Sequence, residues 1–185
     1  MVNMVTPFSA LPEPLFPLAP GADDTRTVQA WSLLDGVADP EIPVVSVREL
    51  GIIRAVRVDG ARVEVDVTPT YSGCPATEVI AADIRAALAA GGFAEVTVRM
   101  VLSPPWTTDA ITDAGRAKLK AYGIAPPGPV PIDASRPVRF VQRQVACPQC
   151  GSMDTERLAE FGSTACKALF RCRACREPFD YFKPL

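Results

Sequence analysis

Cysteine is the residue type through which this 185-residue chain could do chemistry. The chain has six cysteines and no histidine. Within the chain, no Ser-His-Asp or Cys-His nucleophile and no two-histidine iron site can therefore be assembled. Any transition-metal site must rest on thiolates and carboxylates, and the thiols belong to Cys74, Cys147, Cys150, Cys166, Cys172 and Cys175.

Four of the cysteines form two C-x2-C pairs, Cys147 with Cys150 and Cys172 with Cys175, and 21 residues lie between the pairs. This spacing strongly indicates one zinc ion held by both pairs. Four thiolates leave no open coordination position, so we expect the zinc to be structural. The segment is too small for a large core, and binding of the ion would contribute roughly 10–16 kcal/mol to its folding free energy. Two disulfides, a four-cysteine iron site or a [2Fe–2S] cluster are the alternatives.

Two cysteines lie outside these pairs. Cys74 occurs in TYSGCPATEV at residues 70–79, where a strand-like pattern gives way to a helix-like one. The first turn of a helix favours a reactive or metal-binding thiolate, but a small buried thiol is equally compatible with the residues. Cys166, in FGSTACK, is either a buried or idle thiol or an exchangeable ligand.

The segment DPEIP at residues 39–43 brings two carboxylates, those of Asp39 and Glu41, into a proline-bounded turn. Either carboxylate could support a metal site. The alternative is that Asp39 caps a chain reversal and Glu41 is solvated. Trp106 follows the rigid loop SPP, and we expect it to pack in the core or against the linker, with a binding surface as the alternative.

The elements that position these residues follow from hydrophobic periodicity. A first helix from Asp24 places Val28, Trp31, Leu34 and Val37 on one face and ends before Pro40. The turn Asp59-Gly60 predicts a β-hairpin. In chain order we expect strands at 52–58 and 62–68, a helix at 75–92, a strand at 94–102, a helix at 107–123 and a strand at 138–145.

Proline-rich segments suggest how the chain is divided. Residues 1–22 are expected to form a flexible leader, and residues 124–137 a semi-rigid linker. The predicted domains are then residues 23–123 and a cysteine-bearing unit at 138–185.

Composition restricts the partners. A formal net charge of -2 gives no electrostatic reason to expect nucleic acid or an anionic membrane. No apolar run approaches the ~20 residues of a membrane span, and the N-terminus does not read as a signal peptide. We therefore expect a cytoplasmic location, where thiols stay reduced.

Three motifs together resemble a known family. D-P-E-I-P at 39–43, L-G-I-I at 50–53 and T-P-T-Y-x-G-C-P at 68–75 resemble the metal–sulfur cluster assembly domain of iron–sulfur maturation factors, also called SufT-like, over about residues 25–123. The C-terminal region, ending in FDYFKPL, resembles that of the PaaD-type subunit of the phenylacetyl-CoA ring epoxidase system, in which such a domain is fused to a zinc ribbon.

The resemblance implies an α+β fold: a small domain with helices against a mixed three- to four-stranded sheet, followed by a four-cysteine zinc ribbon. It implies an accessory role in phenylacetate breakdown, without catalysis by the chain itself. The family's reactive cysteine falls on Cys74 and its acidic motif on Asp39 and Glu41. The expected cargo is transient iron or an iron–sulfur cluster, and the expected partners are the oxygenase and reductase components.

Two other functions compete with this interpretation. The chain could be a docking or structural component of the same complex with an inert Cys74, or an enzyme that uses Cys74 in thiol redox chemistry. The second is weak, because the helix start has no C-x-x-C and no neighbouring base. A homodimer, and participation of Cys166, are left open.

Overall fold

A mixed three-stranded sheet forms the centre of the first domain. The computed structural model describes residues 25–71, 76–128 and 144–184. In chain order the elements are α1 (Thr25–Asp35), β1 (Ile53–Asp59), β2 (Arg62–Val67), α2 (Ala76–Ala90), β3 (Glu95–Met100), a 3-10 turn (Thr108–Ala110), α3 (Asp113–Ala121), β4 (Ile124–Ala125), β5 (Thr155–Ala159), β6 (Lys167–Cys172) and β7 (Pro178–Phe182).

Strand β2 lies in the middle of the sheet, in the order β1-β2-β3. It pairs antiparallel with β1 across the predicted Asp59-Gly60 turn, where Gly60 adopts a φ of 57°, so the hairpin is confirmed. It pairs parallel with β3, which requires the crossover that α2 supplies. The valines of β2 face inward and are almost fully buried: Val63, Val65 and Val67.

The opposite face of β2 carries an ionic cluster around one buried carboxylate. The Asp66 side chain is 2% exposed, and its carboxylate accepts hydrogen bonds from Arg57 of β1 at 2.6 Å and from Arg99 of β3 at 2.8 Å. Burial disfavours the charged carboxylate, but these bonds outweigh burial and lower the pKa of Asp66 below its ordinary value. One carboxylate thus ties the three strands together.

The rotation of α1 differs from the prediction. Its buried residues are Thr27, Ala30 and Leu34, whereas Val28 is 50% exposed. The small side chain of Ala30 lets the helix approach its neighbours closely, and the Arg48 guanidinium covers the Trp31 ring at 4.9 Å. The predicted stripe is therefore wrong at Val28, because the buried face of α1 runs through Thr27, Ala30 and Leu34 instead.

The predicted helix over 107–123 is divided in two. A 3-10 turn ends at Ala110, and Ile111 is extended and buried. Thr112 then caps α3, since its hydroxyl accepts a hydrogen bond from the Gly115 amide at 3.1 Å. Within the described part of the chain, no helix is both long and apolar enough to cross a membrane.

The C-terminal unit is a four-stranded sheet in the order β4-β7-β6-β5. Strand β4, at the start of the predicted linker, pairs parallel with β7, while β6 pairs antiparallel with β5 and β7. Most of the predicted linker and of the strand at 138–145 lies outside the described residues, and residues 144–145 are not in a strand. The α+β fold, with a mixed three-stranded sheet and a ribbon, is confirmed.

Phe182, near the end of the chain, belongs to the core of the first domain. It is 1% exposed and packs among the residues of the main hydrophobic cluster. Its ring centroid lies 6.0 Å from that of Trp106, whose indole N–H donates to the Leu50 carbonyl at 2.9 Å. The predicted packing of Trp106 in the core is confirmed, and the C-terminal sheet contributes Phe182 of β7 and Ile124 of β4 to that same core.

Truncation of Phe182 should destabilise the protein strongly. We expect Phe182→Ala to lower the free energy of unfolding by about 3–5 kcal/mol, because it leaves a cavity in the core. Chemical denaturation followed by circular dichroism measures the change. The matched control is Phe161→Ala, whose ring is 64% exposed and should cost less than about 1 kcal/mol. Equal losses in the two variants would contradict the shared core.

Candidate functional site

The four paired cysteines converge on one point. The Sγ atoms of Cys147, Cys150, Cys172 and Cys175 all lie within 4.8 Å of one another. Cys147 and Cys175 are 3.7 Å apart, and Cys150 and Cys172 are 3.6 Å apart. A tetrahedral zinc ion with Zn–S bonds of about 2.3 Å needs sulfurs about 3.8 Å apart, so the arrangement fits zinc.

The backbone shapes both knuckles for thiolates. Gly151 and Arg176, each directly after the second cysteine of a pair, adopt φ values of 75° and 68°. The left-handed conformation strains Arg176 by roughly 1–2 kcal/mol. The same left-handed conformation occurs after both cysteine pairs. It therefore indicates that the geometry of the metal site outweighs the backbone preference of Arg176.

Hydrogen bonding favours a thiolate at Cys172. The backbone N–H of Cys175 lies 3.4 Å from the Cys172 sulfur and lowers the pKa of Cys172 to about 6. At Cys175 a backbone N–H of Glu177 favours the thiolate, but burial and the neighbouring sulfurs raise its pKa to about 12. The thiols therefore oppose one another's ionisation, and a divalent cation would relieve that repulsion.

The D-P-E-I-P segment forms a closed turn. The Asp39 amide closes it by donating to the carbonyl of Val45, two residues beyond the segment, at 2.9 Å. The Asp39 carboxylate accepts from the amides of Glu41 at 2.8 Å and Ile42 at 2.9 Å. Asp39 therefore caps the chain reversal, which is the role that the sequence analysis gave as the alternative to supporting a metal site. Burial raises its pKa although these bonds act against the rise.

Two further motif residues, Gly51 and Thr68, have specific structural roles. Gly51 has a φ of 66°, and a Cβ there would lie 2.3 Å from the Ala110 carbonyl oxygen, so the L-G motif needs glycine. Thr68 is buried, and its hydroxyl accepts from Arg54 Nε at 3.0 Å. The same guanidinium donates to the Pro105 carbonyl at 3.1 Å. Arg54 was not predicted as a site residue, because an arginine is an ordinary residue in a strand whose polar and apolar residues alternate.

A cavity of about 260 Å³ lies between the turn and the C-terminal sheet. Asp39 and Glu41 line it from the first domain, and Cys166 lines it from the loop before β6. Tyr71 and Ala76, the described residues on either side of residues 72–75, also line it. The floor is apolar and includes Ile42, Leu50 and Phe182.

The predicted site residues thus divide into two groups. The four paired cysteines form one cluster, and Asp39, Glu41 and Cys166 share the cavity. Cys74 lies outside the described residues, so its predicted role stays a prediction. Asp39 is 8% exposed, whereas Glu41 is exposed to solvent.

Comparison with protein families agrees with this division. Residues 27–100 match the family described as iron-sulfur cluster assembly protein, and residues 132–183 match the PaaD zinc beta ribbon domain. Both halves of the resemblance predicted from the sequence are therefore confirmed.

Individual relatives match different shares of the chain. The chain is 48% identical over 155 residues to a putative 1,2-phenylacetyl-CoA epoxidase subunit of Escherichia coli strain K12, covering 84% of this chain and 91% of that protein. It is 36% identical over 90 residues to an Fe-S protein maturation auxiliary factor of Porphyromonas gingivalis, and the match covers 47% of this chain and 84% of that protein. The chain is also similar to the crystal structure of a domain of unknown function, DUF59, from Bacillus anthracis. The two are 26% identical with a TM-score of 0.47, and the match covers 50% of this chain and 89% of that structure.

Zinc removal should disturb the first domain as well as the ribbon. The chain has two tryptophans, and Trp31→Phe leaves Trp106 as the single reporter beside Phe182. In that background we expect Cys172→Ser to lose zinc and to shift Trp106 emission to longer wavelength, because β6 and β7 would no longer hold Phe182 in the core. Metal analysis and fluorescence give both readouts.

The matched control is Cys166→Ser, which removes a cysteine outside the cluster and should keep one zinc per chain and the original emission. Emission that is unchanged after zinc is lost from Cys172→Ser would show that the ribbon and the first domain fold independently.

Proposed function

The chain belongs to the PaaD family of phenylacetyl-CoA epoxidase subunits, and on this premise we propose that it is an accessory component of that system. In this role it delivers or matures an iron or iron–sulfur centre for an oxygenase or reductase component. Iron is its cargo, and zinc is its structural metal. The observation that carries the proposal is that the acidic turn, the residues flanking Cys74 and a ribbon cysteine all line one cavity.

The donor atoms suit these two metals differently. The cluster of Cys147, Cys150, Cys172 and Cys175 provides four ligands and no vacancy, which suits zinc that stays bound. The cavity offers carboxylate and thiol groups that do not form such a closed set, which suits cargo that must leave again. The absence of histidine supports a carrier, because typical di-iron oxygenase ligands include histidine.

The site residues take different roles in the proposal. Cys74 supplies the thiolate that holds the cargo. Glu41 is the better carboxylate ligand, because it is exposed and lines the cavity. Asp39 acts mainly as a positioning residue, since its carboxylate binds the Glu41 amide and so fixes the turn that presents Glu41.

A docking role with an inert Cys74 is the second candidate. The capping role of Asp39 favours it, because a carboxylate committed to two backbone amides is explained without any metal. The two candidates agree on structural zinc and differ on whether metal reaches the client through Cys74.

Replacement of Cys74 separates the two candidates. We expect epoxidase components co-expressed with Cys74→Ser to assemble normally but to contain roughly ten-fold less of the delivered centre, the size of effect seen when a metal site loses a supporting group. Iron and sulfide analysis of the purified components measures it. Ser72→Ala, in the same segment, is the matched control and should leave loading unchanged. Full loading and activity with Cys74→Ser would sink the delivery proposal in favour of docking.

A further inference from the structure

Strand β3 forms one edge of the first-domain sheet, and among the described residues it pairs with β2 alone. The other edge strands are short or irregular, since β4 has two residues and the pairing of β1 and of β5 contains register shifts. The six residues of β3 pair without such a shift and include no lysine or proline. Proteins use these devices to prevent an edge strand from pairing with another chain. Strand β3 therefore presents an edge that can accept a further strand.

The backbone of β3 has hydrogen-bonding groups on its open side. The amides of Glu95 and Val101 donate toward β2, to carbonyl oxygens at 3.3 Å and 2.8 Å. Because backbone groups alternate sides along a strand, the N–H and C=O groups of Val96 and Val98 point away from β2. The side chains of these two valines are half-buried and pack against the main hydrophobic cluster. A second strand placed at this edge would therefore gain both backbone partners and apolar contact.

The outer face of β3 carries two opposite charges at equal distances from Thr97. Glu95 lies two positions before it and Arg99 two positions after it, and all three residues are exposed. Glu95 accepts a hydrogen bond from Arg62 at 2.8 Å, and Arg99 donates to Asp66 at 2.8 Å, so both charges lie on the ionic face of the sheet. A strand with this order of charges is complementary to its own antiparallel copy.

We propose that two copies of the chain associate through their β3 edges, antiparallel, with Thr97 on the two-fold axis. In this register Val96 of each copy exchanges both backbone hydrogen bonds with Val98 of the other. Registers centred on Val96 or Val98 satisfy the backbone equally, but they place Thr97 opposite Glu95 or Arg99 and so lose the charge pairs. The inference concerns self-association and does not depend on the proposed function.

Charge alternates along the row of side chains that crosses the joined sheets. Side chains directly opposite each other in neighbouring strands interact, and opposite charges there are favourable. Asp66 lies opposite Arg99 in the register of β2 and β3, and Arg62 lies opposite Glu95. Joining the copies sets Arg99 of one beside Glu95 of the other, so the row reads Asp66, Arg99, Glu95 and Arg62, negative and positive in turn. The two-fold axis repeats this row, so the interface contains two new charge pairs.

Self-association is tested by sedimentation equilibrium of the zinc-loaded full chain over a range of concentrations. We expect the mass to rise from 19.8 kDa toward twice that value. Glu95→Arg sets like charges opposite each other and should weaken association roughly ten-fold. Glu160→Arg is the matched control, because Glu160 is likewise an exposed carboxylate paired with one arginine, Arg157, and should leave association unchanged. A wild-type chain that stays monomeric, or equal weakening in both variants, overturns the inference.

Mixing two charge variants tests the register. Glu95→Arg and Arg99→Glu each place like charges across the axis, whereas one copy of each variant restores both opposite-charge pairs. We expect an equimolar mixture to associate roughly ten-fold more tightly than either variant alone. Retained zinc and an unchanged circular dichroism spectrum show that each variant is folded. No gain on mixing would overturn the proposed register.

A cross-link tests the same register without reversing a charge. Thr97→Cys places the new thiols at the axis, where opposite Cα atoms are about 4.5 Å apart, within the range of a disulfide. Oxidised glutathione should link two copies, seen as a band of doubled mass on a non-reducing gel.

The control for the cross-link is Glu95→Cys, which separates the new thiols by four residues along the strand, roughly 13 Å, a distance that no disulfide spans. The wild type, treated alike, reports any linkage through its native thiols. Linkage of Thr97→Cys that does not exceed that of the wild type, or equal linkage of the two variants, overturns the inference.

Discussion

The burial of Phe182 in the first domain is the contact on which the rest of the arrangement depends. A residue close to the C-terminus packs beside Trp106, and the neighbouring strand β7 pairs with β4. Burying one phenylalanine side chain is worth about 1.5–3 kcal/mol, and the strand pairing fixes the direction of approach. The ribbon is thereby oriented so that the loop containing Cys166 faces the acidic turn.

Zinc and iron place opposite demands on a protein, and the proposed function assigns the two metals to different places in the chain. A structural ion needs a complete ligand set, which the two knuckles provide even where Arg176 must adopt a strained conformation. A transferable ion needs an incomplete and accessible one. The proposed function places that second set at the cavity, which is lined by an exposed Glu41, a capped Asp39 and a half-buried Cys166. Under the proposed function, zinc would act on the cargo site only indirectly, through the packing of Phe182 in the first domain.

Local patterns predicted the parts of the structure that local chemistry determines. The Asp59-Gly60 hairpin follows from turn chemistry, and the cysteine spacing specified the zinc cluster because two short knuckles impose the ligand geometry. The rotation of α1 could not be predicted in this way, because the contacts that bury Ala30 and leave Val28 half exposed are made with elements distant in the sequence. Long-range contacts were also beyond sequence reasoning, since nothing in FDYFKPL distinguishes Phe182 from an aromatic residue of the ribbon's own core. For the same reason the sequence identified Cys166 as an unassigned thiol but not its position opposite the acidic turn, which depends on how the two sheets dock.

Direct transfer of iron tests the account most decisively. The zinc-loaded chain would be charged anaerobically with the iron isotope ⁵⁷Fe, mixed with separately purified metal-free oxygenase and reductase components, and followed by Mössbauer spectroscopy with an iron chelator present. The account predicts that the isotope leaves the chain and appears in one component faster than from an equal amount of unbound ferrous iron. Iron that stays on the chain, or reaches the component no faster than unbound iron does, would contradict the account.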